Sequence, residues 1–267
     1  MTSFFTPLDK FAPFSPSEID KEEKAGIDAV KVSLPFGALS NIEAILAPTR
    51  DFDDHRVGAR VRTNIGEWDL SALGGYFAGD YSAGGAFAVP VSGALVKGEL
   101  LVERGTRGRW EYESDGSCLP CRVFHEDRET YARGVLAGEY GFEWQNLTVS
   151  AEYYYDGSGE TDDEQYDWMG LQTGRRITLA RQYIAGNGSV LITPLLTASA
   201  TTLVNLVDHS YMVGPALEYS VTEDITLHAG AQIYRGHGSG SVSTDVLGPS
   251  EYGTLPDRYY GILAWYF

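Results

Sequence analysis

The feature that most constrains this chain is an alternation of apolar and polar residues that returns, segment after segment, from residue 26 to the C-terminus. In residues 56–65 the apolar side chains share one face, and Arg56, Arg60 and Arg62 share the other. Successive side chains of a β-strand point to opposite faces, so this period predicts strands. No stretch approaches the ~18–20 apolar residues that a membrane-spanning helix needs. The pattern predicts an all-β chain and excludes a helical membrane protein.

Thirteen segments carry the alternation, and turn residues separate them. We predict strands at residues 27–34, 40–47, 56–65, 67–78, 83–90, 93–103, 130–142, 146–155, 180–192, 195–206, 210–221, 224–235 and 257–267. Residues 1–25 hold Pro7, Pro13 and Pro16, which the centre of a sheet does not tolerate. We therefore predict a loop or plug-like segment over residues 1–25 and one β-domain over residues 26–267.

The connections between these segments alternate in length. Tight turns are predicted at 35–39, 66, 91–92, 143–145, 193–194 and 222–223, and long connections at 48–55, 104–129, 156–179 and 236–256. Short turns on one rim and long loops on the other are typical of antiparallel transmembrane β-barrels. The alternative from the residues alone is a soluble β-sandwich with the apolar face as its core.

The last ten residues place Tyr259, Leu263, Trp265 and Phe267 on one face, with an aromatic residue at the end. This strand resembles the C-terminal strand of Gram-negative outer-membrane proteins, which the assembly machinery reads as a signal. The resemblance implies a bacterial outer-membrane location. It also implies contact with membrane lipid and lipopolysaccharide, and recognition by that machinery.

A second segment, Thr6–Phe11, resembles the Pro–X–Asp segment that follows the early strands of a set of Gram-negative porin-like proteins. Single-chain bacterial barrels have even strand numbers. With thirteen strands visible and no signal peptide at Met1, we expect the parent barrel to have 14 or more strands. We also expect the N-terminal ones to be missing here.

A formal net charge of −17 argues against nucleic acid as a partner, because phosphates demand Lys and Arg. Charged residues on the face opposite the apolar one would lie inside a barrel, where they line a water-filled pore or pair with one another. A barrel of this size is too wide for side chains alone to fill, which favours the pore. The predicted pore-lining residues are Lys31, Arg56, Arg60, Arg62, Lys97, Glu99, Arg133, Glu139, Glu152 and Glu218.

We expect a porin-like channel that passes small hydrophilic solutes or ions, without a cofactor. Two alternatives stay open. One is a barrel with a specific site for an oligosaccharide or an apolar molecule, and the other is a barrel enzyme acting on lipid. The enzyme would need a His with a Ser or Asp partner near the rim. His237 with Ser239 and His209 with Asp208 lie in such places but match no catalytic signature, so we predict no catalytic residue.

Two further motifs have structural interpretations. Cys118 and Cys121 have C-x-x-C spacing, but one nearby histidine, His125, falls short of the four ligands of a zinc site. We predict a disulfide within the 104–129 loop. The acidic residues of 156–167 lack the turn glycine and distal glutamate of a calcium loop, so we predict a solvated loop and no metal site there, with weak calcium binding as the alternative.

Overall fold

The computed structural model describes residues 4–11, 27–49, 55–105, 109–113, 121–125, 130–172, 176–237 and 250–266. Thirteen of its strands form one antiparallel sheet in which neighbours in sequence are neighbours in space. Among the described residues, no helix is long and apolar enough to cross a membrane. The all-β prediction is confirmed.

The strands match the predicted segments closely. Their bounds are β1 Val30–Phe36, β2 Ser40–Ala47, β3 Arg56–Ile65, β4 Trp68–Phe77, β5 Asp80–Val91, β6 Ala94–Gly105, β7 Arg109–Glu113, β8 Cys121–His125, β9 Thr130–Gly141, β10 Thr148–Asp156, β11 Gln182–Thr193, β12 Leu196–Asn205, β13 Tyr211–Ser220, β14 Ile225–Arg235 and β15 Arg258–Trp265. One short helix, α1, spans Trp168–Gln172.

Two differences from the prediction have clear reasons. Pro35 and Phe36 were assigned to a turn, but they end β1, a strand that lies at the edge of the sheet, where proline is tolerated. The 104–129 connection is not loop throughout, because β7 and β8 pair as a separate two-stranded sheet within it. The predicted disulfide lies outside the described residues, which include neither Cys118 nor the side chain of Cys121.

The two faces of the large sheet differ as the alternation predicts. Large apolar side chains of one face are exposed, for example Leu136, at 56% of its maximum, and Leu263, at 66%. Side chains of the other face lie inside, and Leu101 and Leu203 there are fully buried. No second sheet or helix among the described residues covers the exposed face, so the sandwich alternative is wrong.

Six tight connections lie at one rim. The turns β1–β2, β3–β4, β5–β6, β9–β10, β11–β12 and β13–β14 are short, and the longest connections lie at the opposite rim. We call these the turn rim and the loop rim. β4 and β5 are also joined tightly at the loop rim, with Ala78 and Gly79 at positive φ. Within the described residues, β1 pairs with β2 and β15 with β14, and β1 and β15 are the two edges of the sheet.

Candidate functional site

The inward face of the sheet brings charged residues of neighbouring strands together. In β1–β3, Glu43 lies between two cations, with its Oε1 2.8 Å from Lys31 Nζ and its Oε2 2.6 Å from Arg60 Nη2. In the strand register, Glu43 of β2 lies opposite Arg60 of β3 and opposite Ser33 of β1. Ladder pairing therefore accounts for Arg60, which was one alternative for the arginine row.

The other two arginines of that row have different surroundings. Arg56 Nη1 donates to the carbonyl oxygen of Phe11 at 2.8 Å. Arg62 is exposed within the lumen, and no carboxylate of the described residues lies within ion-pair distance of it. The three arginines share a face, as predicted, but each has different contacts.

A second charged group lies where β6, β9 and β10 meet near the loop rim. Glu103 is fully buried, and its Oε2 accepts from Arg133 Nη1 at 2.7 Å. The same guanidinium donates through Nε to Asp156 at 3.1 Å. Asp156 had been assigned to the solvated acidic loop, but it ends β10 and is buried against Arg133. Burial of charges at this point is tolerated because each has a partner.

Three more of the predicted pore-lining residues, Lys97, Glu139 and Glu218, form longer ion-pair contacts. Lys97 Nζ lies 3.6 Å from Glu139 Oε2, and Glu218 lies 3.9 Å from His228 Nδ1, an ion pair only when the histidine is protonated. These pairs cross between neighbouring strands and lie toward the turn rim. The structure thus places all ten predicted pore-lining residues on the inward face, in several separate groups.

Residues 4–11, which we call the strap, lie against the inward face of the sheet. The backbone N–H of Phe5 donates to Glu152 at 3.0 Å, and that of Leu8 donates to Glu99 at 3.3 Å. Lys10 forms an ion pair with Glu103. The strap belongs to the predicted plug-like segment, most of which lies outside the described residues, so the plug as a whole stays a prediction.

Aromatic rings hold both ends of the strap. Phe5 stacks on Tyr154 of β10, with ring centroids 4.1 Å apart and planes 6° apart, and Phe11 meets Phe77 of β4 edge-on at 5.5 Å. Aromatic pairs in such geometry contribute about 0.5–1.5 kcal/mol beyond burial. Sequence reasoning did not anticipate these contacts, because nothing in an isolated Phe identifies its partner ring.

The part of the lumen formed by β10–β14 is filled at the loop rim. Inward-pointing side chains of the strands pack there against side chains from the long connections. The strand residues are Tyr183, Tyr234, Leu203 and Met212, and the residues from the connections are Leu179, Tyr166 and Tyr252. Glu251 lies at the centre, fully buried in this packing, with its carboxylate 2.7 Å from Tyr183 Oη and 2.8 Å from Asn205 Nδ2. Burial and the negative charge of Asp208 raise the pKa of Glu251 to about 7. Its loop position carried no sequence signal.

An open cavity of about 720 Å³ remains along β1–β6 on the turn-rim side of the strap. Both charge signs line it: Lys31, Arg60, Arg62 and Lys97 are basic, and Asp9, Glu43, Asp69 and Glu99 are acidic. A smaller cavity of about 230 Å³ lies on the loop-rim side of the strap. We call these the turn-side and loop-side cavities.

Two of the candidate catalytic residues that the structure describes, Asp208 and His237, form hydrogen bonds at the loop rim. Asp208 accepts backbone N–H groups, from Ser210 at 2.8 Å and Glu251 at 2.7 Å. The carbonyl oxygen of His237 accepts from Ser250 Oγ at 2.8 Å. Ser239 lies outside the described residues. Among the residues that the structure covers, no group of three or more His, Cys, Asp or Glu side chains is placed to hold a metal ion.

The strands of the antiparallel sheet pair in sequence order. The inward face of this sheet is charged and borders an open lumen, and its outward face is apolar. The fold is that of an outer-membrane β-barrel. At its C-terminal strand, Tyr259, Leu263 and Trp265 point outward and are exposed, whereas Phe267 lies outside the described residues, so the assembly signal stays a prediction.

Comparison with known proteins found no matching family model. No curated protein matches the sequence either. Two solved structures are similar. OmpT (in-vitro folded), an outer membrane protein of Vibrio cholerae, aligns over 78% of each chain with 9% identity and a TM-score of 0.48. A loop L8 deletion mutant of OmpT aligns over 89% of each chain with 10% identity and a TM-score of 0.47.

Proposed function

We propose that this chain is a porin-like channel of the bacterial outer membrane, for passive diffusion of small hydrophilic solutes or ions. The observation that carries the proposal is the turn-side cavity, an open space of about 720 Å³ lined by charges of both signs inside a wall that is apolar outside. Charged side chains that line a pore set its preference among ions. The proposal contains no covalent step.

The location follows from the outer surface of the sheet. Exposed side chains such as Val32, Leu100 and Leu217 would face water in a soluble protein, whereas in a membrane they contact lipid tails. Lipid and lipopolysaccharide are therefore proposed partners of this surface. The assembly machinery is the proposed partner of the exposed C-terminal strand.

Planar-bilayer recording tests the channel. We expect stepwise ion conductance from the full chain, and we expect Arg62→Glu to shift the reversal potential in a salt gradient toward cation preference, because Arg62 lines the turn-side cavity. The matched control is Arg104→Glu, which makes the same charge change on the outward face. Equal shifts from both variants, or no conductance at all, would contradict the proposal.

The second candidate function is a barrel with a specific ligand site. The turn-side cavity favours it, since its volume falls within the roughly 300–1,000 Å³ of small-molecule pockets. Saturable binding of a small solute without any ion conductance would identify this function instead.

A further inference from the structure

The strap separates the two cavities. Thr6 and Asp9 line both the turn-side and the loop-side cavity, so each of these residues has open space on either side. The loop-side cavity is lined by residues at the loop-rim ends of strands, including Arg56, Asp80 and Arg133. A solute entering at the loop rim along this side of the lumen therefore reaches the strap before it reaches the turn-side cavity.

On the filled side of the lumen, the described side chains pack closely at the loop rim. Tyr183 and Leu179 are fully buried there, and Tyr234 is 2% exposed. We infer that the strap is a displaceable gate, in series between the two cavities, that sets the width of the pathway. This inference rests on the proposed channel function.

The contacts of the strap suit reversible release. Glu103 keeps Arg133 Nη1 at 2.7 Å and Ser82 Oγ at 3.2 Å when Lys10 leaves, so the buried carboxylate stays compensated. The backbone N–H groups of Phe5 and Leu8, which donate to Glu152 and Glu99, can donate to lumen water instead. Such an exchange of hydrogen-bond partners changes the free energy little. The anchors are noncovalent, and the strap contains one turn of its own, with Asp9 N donating to Thr6 O at 2.9 Å.

Releasing the strap is the first test. The double variant Phe5→Ala/Lys10→Ala removes the ring stack on Tyr154 and the ion pair with Glu103. We expect its single-channel conductance to rise about twofold or more, because removing a constriction enlarges the open cross-section through which ions pass. Heat-modifiable migration in detergent gels confirms that the variant is folded. Unchanged conductance from folded protein would overturn the inference.

Modifying the strap in place is the second test and does not weaken its anchors. Thr6→Cys in a Cys118→Ser/Cys121→Ser background is treated with a charged, membrane-impermeant thiol reagent during recording. We expect conductance to fall by about half or more, since the added group enters the pathway. The matched control is Thr222→Cys, exposed in the β13–β14 turn at the turn rim, where modification should leave conductance unchanged.

The two levels of proposal fail differently. If the unmodified chain does not conduct, the channel function fails, and the gate fails with it. If it conducts but neither strap release nor Thr6→Cys modification changes the conductance, the channel stands and the gate is wrong.

Discussion

At the scale of single residues, the lumen is built from charges whose partners come from other strands. Glu103, buried on β6, receives Arg133 from β9 and Lys10 from the strap. A buried charge with one partner is left uncompensated when that partner is removed, whereas Glu103 keeps Arg133 when Lys10 is removed. Glu251 differs, because its partners Tyr183 and Asn205 are neutral and its own charge is what burial disfavours.

The raised pKa of Glu251 predicts that the stability of the loop rim depends on pH. Its pKa rises from an ordinary 4.5 to about 7, chiefly through burial, so the protonated form is favoured in the folded loop. The stabilisation of residues 250–257 is therefore fully present below pH 4.5 and is lost as pH rises through 7, a loss of a few kcal/mol. Hydrogen–deuterium exchange in micelles should show protection of this segment falling over that range.

The matched variant is Glu251→Gln, which keeps a side-chain acceptor for Tyr183 and removes the titration. Its protection should be flat across the same pH range. A parallel pH dependence in Glu251→Gln would mean that another group controls the loop.

At the scale of elements, glycines allow neighbouring strands to carry large side chains inward. Phe77 of β4 lies over Gly58 of β3, where an added Cβ would come 2.6 Å from the ring. The alternation predicted these strands and their faces. It did not predict which glycine lies beneath which ring, because that depends on the pairing register of Arg56 with Phe77 and Gly58 with Gly75.

The atoms around Gly75 predict how much a larger side chain there would lower the stability of the protein. A Cβ there would lie 2.3 Å from the carbonyl oxygen of Val57 and 2.6 Å from Gly58 Cα, both backbone atoms that cannot turn aside. We expect Gly75→Ala to lower the free energy of unfolding by about 1–3 kcal/mol, as overpacking does. The adjacent control, Gly74→Ala, meets only Ser82 O at 3.8 Å and should be close to neutral. Urea titration of the two refolded variants compares them, and equal stabilities would contradict the register.

At the scale of the whole molecule, the outward face requires lipid. Its apolar side chains are exposed along β1–β6 and β9–β15, and the longest connections lie at the loop rim. An unfilled lumen along β1–β6 and a filled one along β10–β14 make the interior asymmetric.

A lysine scan of the outward face tests its contact with lipid. Leu136 lies midway along β9, so Leu136→Lys should lower stability in a bilayer by about 2–4 kcal/mol. Val221 lies just beyond β13 at the turn rim, and Val221→Lys should cost about 0–1 kcal/mol. Denaturant titration in vesicles measures both. Equal costs at the two depths would show that the face does not meet a hydrocarbon core.

The alternation and the turn residues predict the thirteen strands of the large sheet, the faces of their side chains and the tight turns of the turn rim. These properties depend only on a period of two residues and on turn chemistry, which are local. β7 and β8, of five residues each, were not predicted, because the 104–129 connection was interpreted as a loop.

Which charges meet, where the strap lies and which part of the lumen is filled depend on contacts between residues that are far apart in the chain. The contact between Phe5 and Glu152 joins residues 147 positions apart, and that between Tyr183 and Glu251 joins residues 68 apart. Such contacts depend on how the sheet curves and how its long connections fold back into it. No local pattern encodes that curvature, because it arises from the packing of all the strands together.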